Sequence, residues 1–214
     1  MRGRVALALV AVAVLAAAAP PTAPLVTGKY APRDECLAQP GGRAFRQALG
    51  RAIRARNVAA FLALTSDDVK LDFGGGYGKS SLRRRLLGAE GHKLWGELNG
   101  LLPLGCAMDQ GQMVAPWMFV HFEEEDPVTV LIVSGARVPL LAAPRSGARP
   151  LRLLSWSVVE PLLADDWQKP FRKVRSGGVE GYVATAQLRS AFDYRLMASR
   201  RGGQWRIDVF TAGD

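Results

Sequence analysis

From Arg43 onward the apolar residues recur with a helical period. Phe45, Ala48, Leu49, Ala52 and Ile53 fall at i, i+3, i+4, i+7 and i+8, with Arg46, Gln47, Arg51 and Arg54 opposite. Asn57 is placed to cap a second, short helix with Phe61 and Leu64 on its inner face. Thr65-Ser66-Asp67-Asp68 is expected to break that helix. The period then drops to two, because Val69, Leu71 and Phe73 alternate with Lys70 and Asp72, which predicts a half-buried strand. Gly74 to Gly78 forms a turn, and Ser80 or Ser81 can cap a helix carrying Leu82, Leu86 and Leu87. A further helix carries Leu94, Trp95, Leu98 and Leu101-Leu102.

Beyond Cys106 the pattern is that of strands. Met113 to Phe122 and Val128 to Val133 flank an acidic loop, Glu123-Glu124-Glu125-Asp126-Pro127. Short apolar runs between Val138 and Leu188 are punctuated by Ala143-Pro144-Arg145-Ser146 and Gly177-Gly178. Tyr194 to Ala198, a turn at Gly202-Gly203, and Trp205 to Phe210 read as a closing hairpin. Its Tyr194, Leu196, Trp205, Ile207 and Val209 offer apolar surface that the helical half needs for cover. No internal repeat of 20–50 residues is present.

The other end of the chain changes the picture of where the protein works. Arg2 and Arg4 precede an apolar run from Val5 to Ala19 and then Pro20-Pro21, the make-up of a secretory signal peptide, placed at 1–23. The run is short of the ~20 residues that span a bilayer, so no stable membrane span is expected after cleavage. A Pro- and Ala-rich linker, expected to be disordered, follows over 24–33. A periplasmic or secreted protein with net charge +9 meets lipid headgroups and cell-wall polymers, not nucleic acid. A solvated basic surface that aids solubility is the plainer account of the charge. Cys36 and Cys106 have no CxxC spacing, which excludes a zinc ribbon or a thioredoxin-like motif. In an oxidising compartment the pair reads as one disulfide, with two separate buried thiols as the alternative.

Two stretches carry a resemblance. Ala143-Pro144-Arg145-Ser146 after a short strand, Trp167 or Phe171 before Lys173-Val174-Arg175, and Gly181-Tyr182-Val183 after a polar turn resemble the bacterial Src homology 3-like domain. Leu141 stands where that family usually has Arg, and Pro139 where Asn is common. Ala55-Arg56-Asn57-Val58-Ala59-Ala60-Phe61 leading into Val69-Lys70-Leu71-Asp72-Phe73, together with Gly203-Gln204-Trp205-Arg206-Ile207, resembles the nuclear transport factor 2-like (SnoaL-like) domain. The resemblances imply an α+β fold: a cystatin-like helix-and-sheet cone over 34–133, an inserted small Src homology 3-like β-barrel over 134–190, and a final hairpin of the cone over 191–214.

Several candidate sites follow. Trp156, Trp167, Phe171 and Tyr182 can line a groove for an extended peptide or glycan, or else plug the barrel core, where Tyr182 in particular is expected. The cone family implies a pocket that Asp72, Tyr77, Trp95, Trp117 and His121 could approach, although Asp72 falls on the outward side of its strand. No catalytic residue is assigned, since nothing marks a nucleophile, and His92 sits in a polar turn. Phe73 to Ser80 imitates a phosphate-binding loop, but Phe73 occupies the first glycine position, and a turn with a helix cap accounts for it. Glu123 to Asp126 lacks the alternation of a calcium loop, so no metal and no cofactor is expected. The expected role is non-catalytic binding or scaffolding through the barrel, with an envelope protein, peptide or cell-wall polymer as partner. The alternatives are a small-molecule enzyme or carrier using the cone pocket, and a structural accessory that dimerises.

Overall fold

The structure, a computed structural model, describes residues 27–124, 126–162 and 166–213. The expected signal peptide lies outside them. The periodic stretches become α1 (Gly42–Arg54), α2 (Val58–Ala63), β1 (Thr65–Lys70), α3 (Lys79–Leu87) and α4 (Gly91–Leu101). Phe45, Leu49, Ala52 and Ile53 of α1 are buried, and Asn57 Oδ1 accepts from the Ala60 amide at 3.0 Å, capping α2. No described helix is long and apolar enough to cross a membrane.

Three local expectations are corrected. β1 begins at Thr65 instead of after Asp68, and both Thr65 and Ser66 are buried. Their hydroxyls are satisfied by backbone carbonyls: Thr65 Oγ1 donates to Phe61 one turn back at 2.9 Å, and Ser66 Oγ donates to Ile207, far along the chain, at 3.0 Å. The strand ends at Lys70, which leaves Phe73 exposed. Neither serine caps α3, because the helix starts one residue earlier at Lys79 with Gly78 in the capping position.

After Cys106 come β2 (Ala107–Asp109), β3 (Gln112–Ala115), α5 (Trp117–Val120), β4 (Leu131–Val133), β5 (Val138–Leu141) and β6 (Pro150–Leu154). The expected strand over Met113 to Phe122 is thus cut short. The Ala115–Pro116 peptide is cis, and the chain turns into α5. Val128 is exposed and lies outside β4. The chain closes with β7 (Val158–Pro161), β8 (Phe171–Ser176), β9 (Val179–Ala184), β10 (Leu188–Arg189), β11 (Arg195–Arg201) and β12 (Gln204–Thr211).

These strands form two sheets. The first has the order β1-β12-β11-β3-β2, with β1 parallel to β12. The helices pack on it, so Leu49, Phe61, Leu82, Leu98, Leu196, Ile207 and Phe210 share one core. The second has the order β10-β4-β7-β8-β9-β5-β6 around Val138, Leu140, Val159, Val174 and Val183. It is not a closed barrel among the described residues, since β10 and β6 remain edges. β4 belongs to this sheet, so the sheet begins before the boundary expected at 134.

Residues expected as a disordered linker are instead packed from Gly28 on. Tyr30 is buried at 1% exposure, and its amide donates to the Trp156 carbonyl at 2.9 Å. Gly28 adopts φ 133°, and a Cβ there would lie 2.1 Å from the Ser155 carbonyl oxygen. The strap then pairs with the start of β2, where the Cys106 amide donates to the Arg33 carbonyl and the Glu35 amide to the Cys106 carbonyl. Cys36 and Cys106 are joined in a disulfide, with Cα atoms 5.7 Å apart.

Candidate functional site

The four aromatics proposed from sequence do not meet in one groove. Phe171 lies opposite Ala184, and Tyr182 opposite Lys173, on neighbouring strands. By strand alternation both turn away from buried Val174 and Val183, so Tyr182 is half-buried on the outer face and not in the core. Trp167 is 45% exposed, with the Arg172 guanidinium 4.3 Å from its ring centre. Trp156 sits elsewhere, between the helix-bearing core and a small cluster of Tyr30, Trp117 and Ile132.

The residues suggested for a cone pocket divide: Trp117 and His121 stack on each other, while Trp95 and Asp72 make their contacts elsewhere. Trp95 is buried edge-on against Phe61. Asp72 is held by the Arg85 guanidinium and the Gly76 amide, which keep its carboxyl below the usual range. A carboxylate held in its charged form is a poor proton acceptor near neutrality. The void beside Leu71, Leu82, Leu94, Tyr194 and Phe210 is only ≈ 10 Å³, room for about one water. The loop that imitates a phosphate site ends in Lys79, whose Nζ pairs with Asp67 at 2.8 Å.

An open pocket lies where the two sheets meet, and the sequence did not point to it. It holds ≈ 220 Å³ and is lined by Pro116, Met118, Phe119, Phe122, Ile132, Ala191 and Phe192, with Glu124 and Arg189 at its polar rim. After Ala115 the chain turns from β3 into α5, which carries Met118 and Phe119 into the wall. β4 supplies Ile132, and the residues after β10 supply Ala191 and Phe192. Arg195 lies 4.8 Å from the Phe119 ring centre.

Both rim charges are already engaged. Glu124 accepts from Lys29 Nζ and the Tyr30 hydroxyl, each at 2.8 Å, and these donors hold its carboxyl below the usual range. Arg189 donates to the Tyr194 carbonyl and lies 3.8 Å from Asp193. Burial lowers the Arg189 pKa, opposed by the charges of Asp193 and Glu97. With its rim neutralised, the pocket suits an uncharged apolar group.

Beside the pocket, Glu35 ties three elements together. It accepts from the Trp117 indole at 2.7 Å and from the Met108 amide at 3.0 Å, and His121 Nε2 stands 3.2 Å away. His121 stacks on Trp117 with ring centres 4.1 Å apart. Burial pushes the Glu35 carboxyl up, but the Trp117 and Met108 bonds and the His121 charge outweigh it and leave it low. A lowered folded pKa means that the stabilisation is complete above the ordinary Glu value of 4.5 and is lost as pH falls through the folded value. Melting temperature is therefore expected to drop below about pH 4.5, and Glu35→Gln is expected to flatten part of that drop. An unchanged acid limb in the variant would contradict this role. Asp34 lies near the two bridged sulfurs, but disulfide sulfurs are not available as thiolate ligands.

No family model and no curated protein matches the sequence. Among solved structures, a variant of the chain Rd1NTF2_05 is similar at 9% identity and TM-score 0.27, over 80% of this chain and 95% of that one. An NTF2-like protein with a cystatin-like fold from Novosphingobium aromaticivorans is similar at 10% identity and TM-score 0.29, over 79% of this chain and 76% of that one. Superpositions this loose carry no argument. The α+β description rests on the strand pairings and helix packing themselves.

Proposed function

We propose that this is an exported, non-catalytic binding protein of the cell envelope, and that its ligand is an extended peptide segment of a partner protein. One apolar side chain of that segment enters the pocket between the sheets. The observation that carries this reading is the mainly apolar pocket of ≈ 220 Å³ where the two sheets meet, walled by Pro116, Met118, Phe119, Phe122, Ile132 and Phe192. An apolar cavity of about 150 Å³ holds a benzene ring, so this pocket takes a ring or a branched aliphatic chain. β10 is an edge strand, and Arg189, Ser190 and Ala191 at its end line the pocket. A peptide added along that edge would form backbone hydrogen bonds while its side chain fills the pocket.

The same reading takes the second sheet as an inserted, partly open Src homology 3-like unit within a SnoaL-like cone. Its support is the antiparallel pairing of β4 with β10, Leu188 opposite Val133 and Arg189 opposite Ile132. That pairing brings the two ends of the unit side by side, as an insertion into another domain needs. The rival reading, an enzyme or carrier working inside the cone, needs more room than the ≈ 10 Å³ beside Leu71, Leu82 and Phe210.

Selection from a library of random displayed peptides tests the binding claim. Enriched peptides are expected to share one Leu, Ile or Phe position. Ala191→Trp, which fills the pocket, should weaken them about 10- to 100-fold, the worth of burying one such side chain. Peptides that bind the variant as well as the parent, or selection of wall polymer fragments only, would contradict the proposal.

A further inference from the structure

Of the six large apolar residues exposed among the described residues, three lie within residues 73–87: Phe73 at 49%, Tyr77 at 53% and Leu87 at 62%. Scattered single exposures are ordinary, but a local group of them beside cations marks a contact surface. The loop carrying Phe73 and Tyr77 is a fixed platform. The Leu71 amide donates to the Gly76 carbonyl at 2.8 Å and the Gly78 amide to the Val69 carbonyl at 2.8 Å, so the loop closes on itself at its base. The Gly76 amide donates to Asp72 Oδ1 at 2.7 Å, and Arg85 ties Asp72 to α3. Ordering the loop in this way presents its two rings outward instead of letting them collapse on the core.

The helix that follows supplies charge of one sign. α3 reads Lys79-Ser80-Ser81-Leu82-Arg83-Arg84-Arg85-Leu86-Leu87, with four cations and no acid. Leu82 and Leu86 are buried, so Ser80, Arg83, Arg84 and Leu87, at i, i+3, i+4 and i+7, form the outer face. Lys70 adds a cation 4.0 Å from the Phe73 ring centre. Two of the nearby acids are paired, Asp67 with Lys79 and Asp72 with Arg85, while Glu90 shares a surface depression with Arg84 and Arg85.

We propose that the Phe73–Tyr77 loop and the outer face of α3 together form a docking surface for an anionic lipid bilayer. Phe73, Tyr77 and Leu87 enter the headgroup boundary, while Lys70, Arg83 and Arg84 meet the phosphates. Interfacial binding of this kind combines a small buried apolar area with attraction of Lys and Arg to anionic lipid. Tyr suits the boundary because its ring is apolar and its hydroxyl stays hydrated. The surface is formed by β1, its loop and α3, none of which lines the junction pocket, although the Arg195 guanidinium lies against both Phe73 at 5.7 Å and the pocket's Phe119 at 4.8 Å; the proposal does not rest on the peptide reading.

Co-sedimentation with vesicles tests it, comparing 30 mol% phosphatidylglycerol in phosphatidylcholine with phosphatidylcholine alone. The apolar run Val5–Ala19, where still attached, enters both vesicle types, so the readout is the ratio of partition coefficients. Wild type is expected to favour the anionic vesicles, and Arg83→Gln with Arg84→Gln to lower that ratio about thirtyfold, roughly fivefold per Arg. Raising NaCl to 0.5 M should collapse the preference by screening. Phe73→Ser with Tyr77→Ser should remove the part that survives salt. All four positions are solvent-facing, so the melting temperatures should stay within a degree or two of wild type. Equal partition to both vesicles, a ratio unmoved by the arginine pair, or salt-sensitive binding to isolated wall polymer without binding to vesicles would overturn the proposal.

Discussion

Replacing Cys36 and Cys106 with alanine is expected to destabilise the protein by about 4 kcal/mol in the chain-entropy model of a cross-link. The magnitude follows from sequence separation, since the bridge joins residues 70 positions apart. Without it the unfolded chain regains that freedom, while the native contacts change little. Both cysteines are also fully inside the helix-bearing core, at 0% and 1% exposure, so the truncated side chains leave a small void as well. The bridge fastens the turn Glu35–Ala38, which carries Glu35 toward Trp117, to the start of β2. Chemical unfolding of wild type and double variant measures the difference. Thiol counting on unreduced, denatured protein should find no free thiol, and two free thiols would reject the bridge.

A chain ending at Ser190 is expected to lose the helix-and-sheet body altogether. β11 and β12 are not a trailing addition but the middle of the first sheet, with β1 on one side and β3 on the other. Their removal leaves β1 without any partner and takes Leu196, Trp205, Ile207 and Phe210 out of the shared core. At about 1.5–3 kcal/mol for each buried side chain, the loss is comparable to the whole stability of an ordinary domain. The Trp205 indole also donates to the Pro40 carbonyl at 3.0 Å, fixing the hairpin against the start of α1. Circular dichroism should show no cooperative melt of the helices in the shortened chain. A cooperative melt near the full-length temperature would contradict the pairing scheme.

The helices were legible in the sequence because a single packed face imposes a single period. Phe45, Leu49 and Ile53 repeat at that period, and the structure buries all three. The closing hairpin was legible for the same reason, through a period of two around Gly202-Gly203. What misled was polarity taken as a sign of exposure. Thr65 and Ser66 read as a break, yet their hydroxyls satisfy nearby carbonyls and let a strand start there. Lys29 and Tyr30 read as linker, yet their partners are Trp156 and Glu124, far along the chain. The pocket was hidden for a related reason. Its walls come from α5, β4 and the segment after β10, which local periodicity cannot bring together. Pro116 was the available signal, because a proline inside an apparent strand argues against its continuation.

The most direct test of the binding account is a nuclear magnetic resonance titration with N-acetyl-L-phenylalanine amide, a neutral mimic of one apolar residue in a peptide. The methyl signals of Ile132 and Met118 should shift saturably, and Ala191→Trp should abolish the shifts. Leu98 and Ile207, fully buried in the helix-and-sheet core, should stay in place. Shifts at Leu98 and Ile207 with Ile132 and Met118 unmoved would put the site inside the helix-and-sheet body and contradict the account.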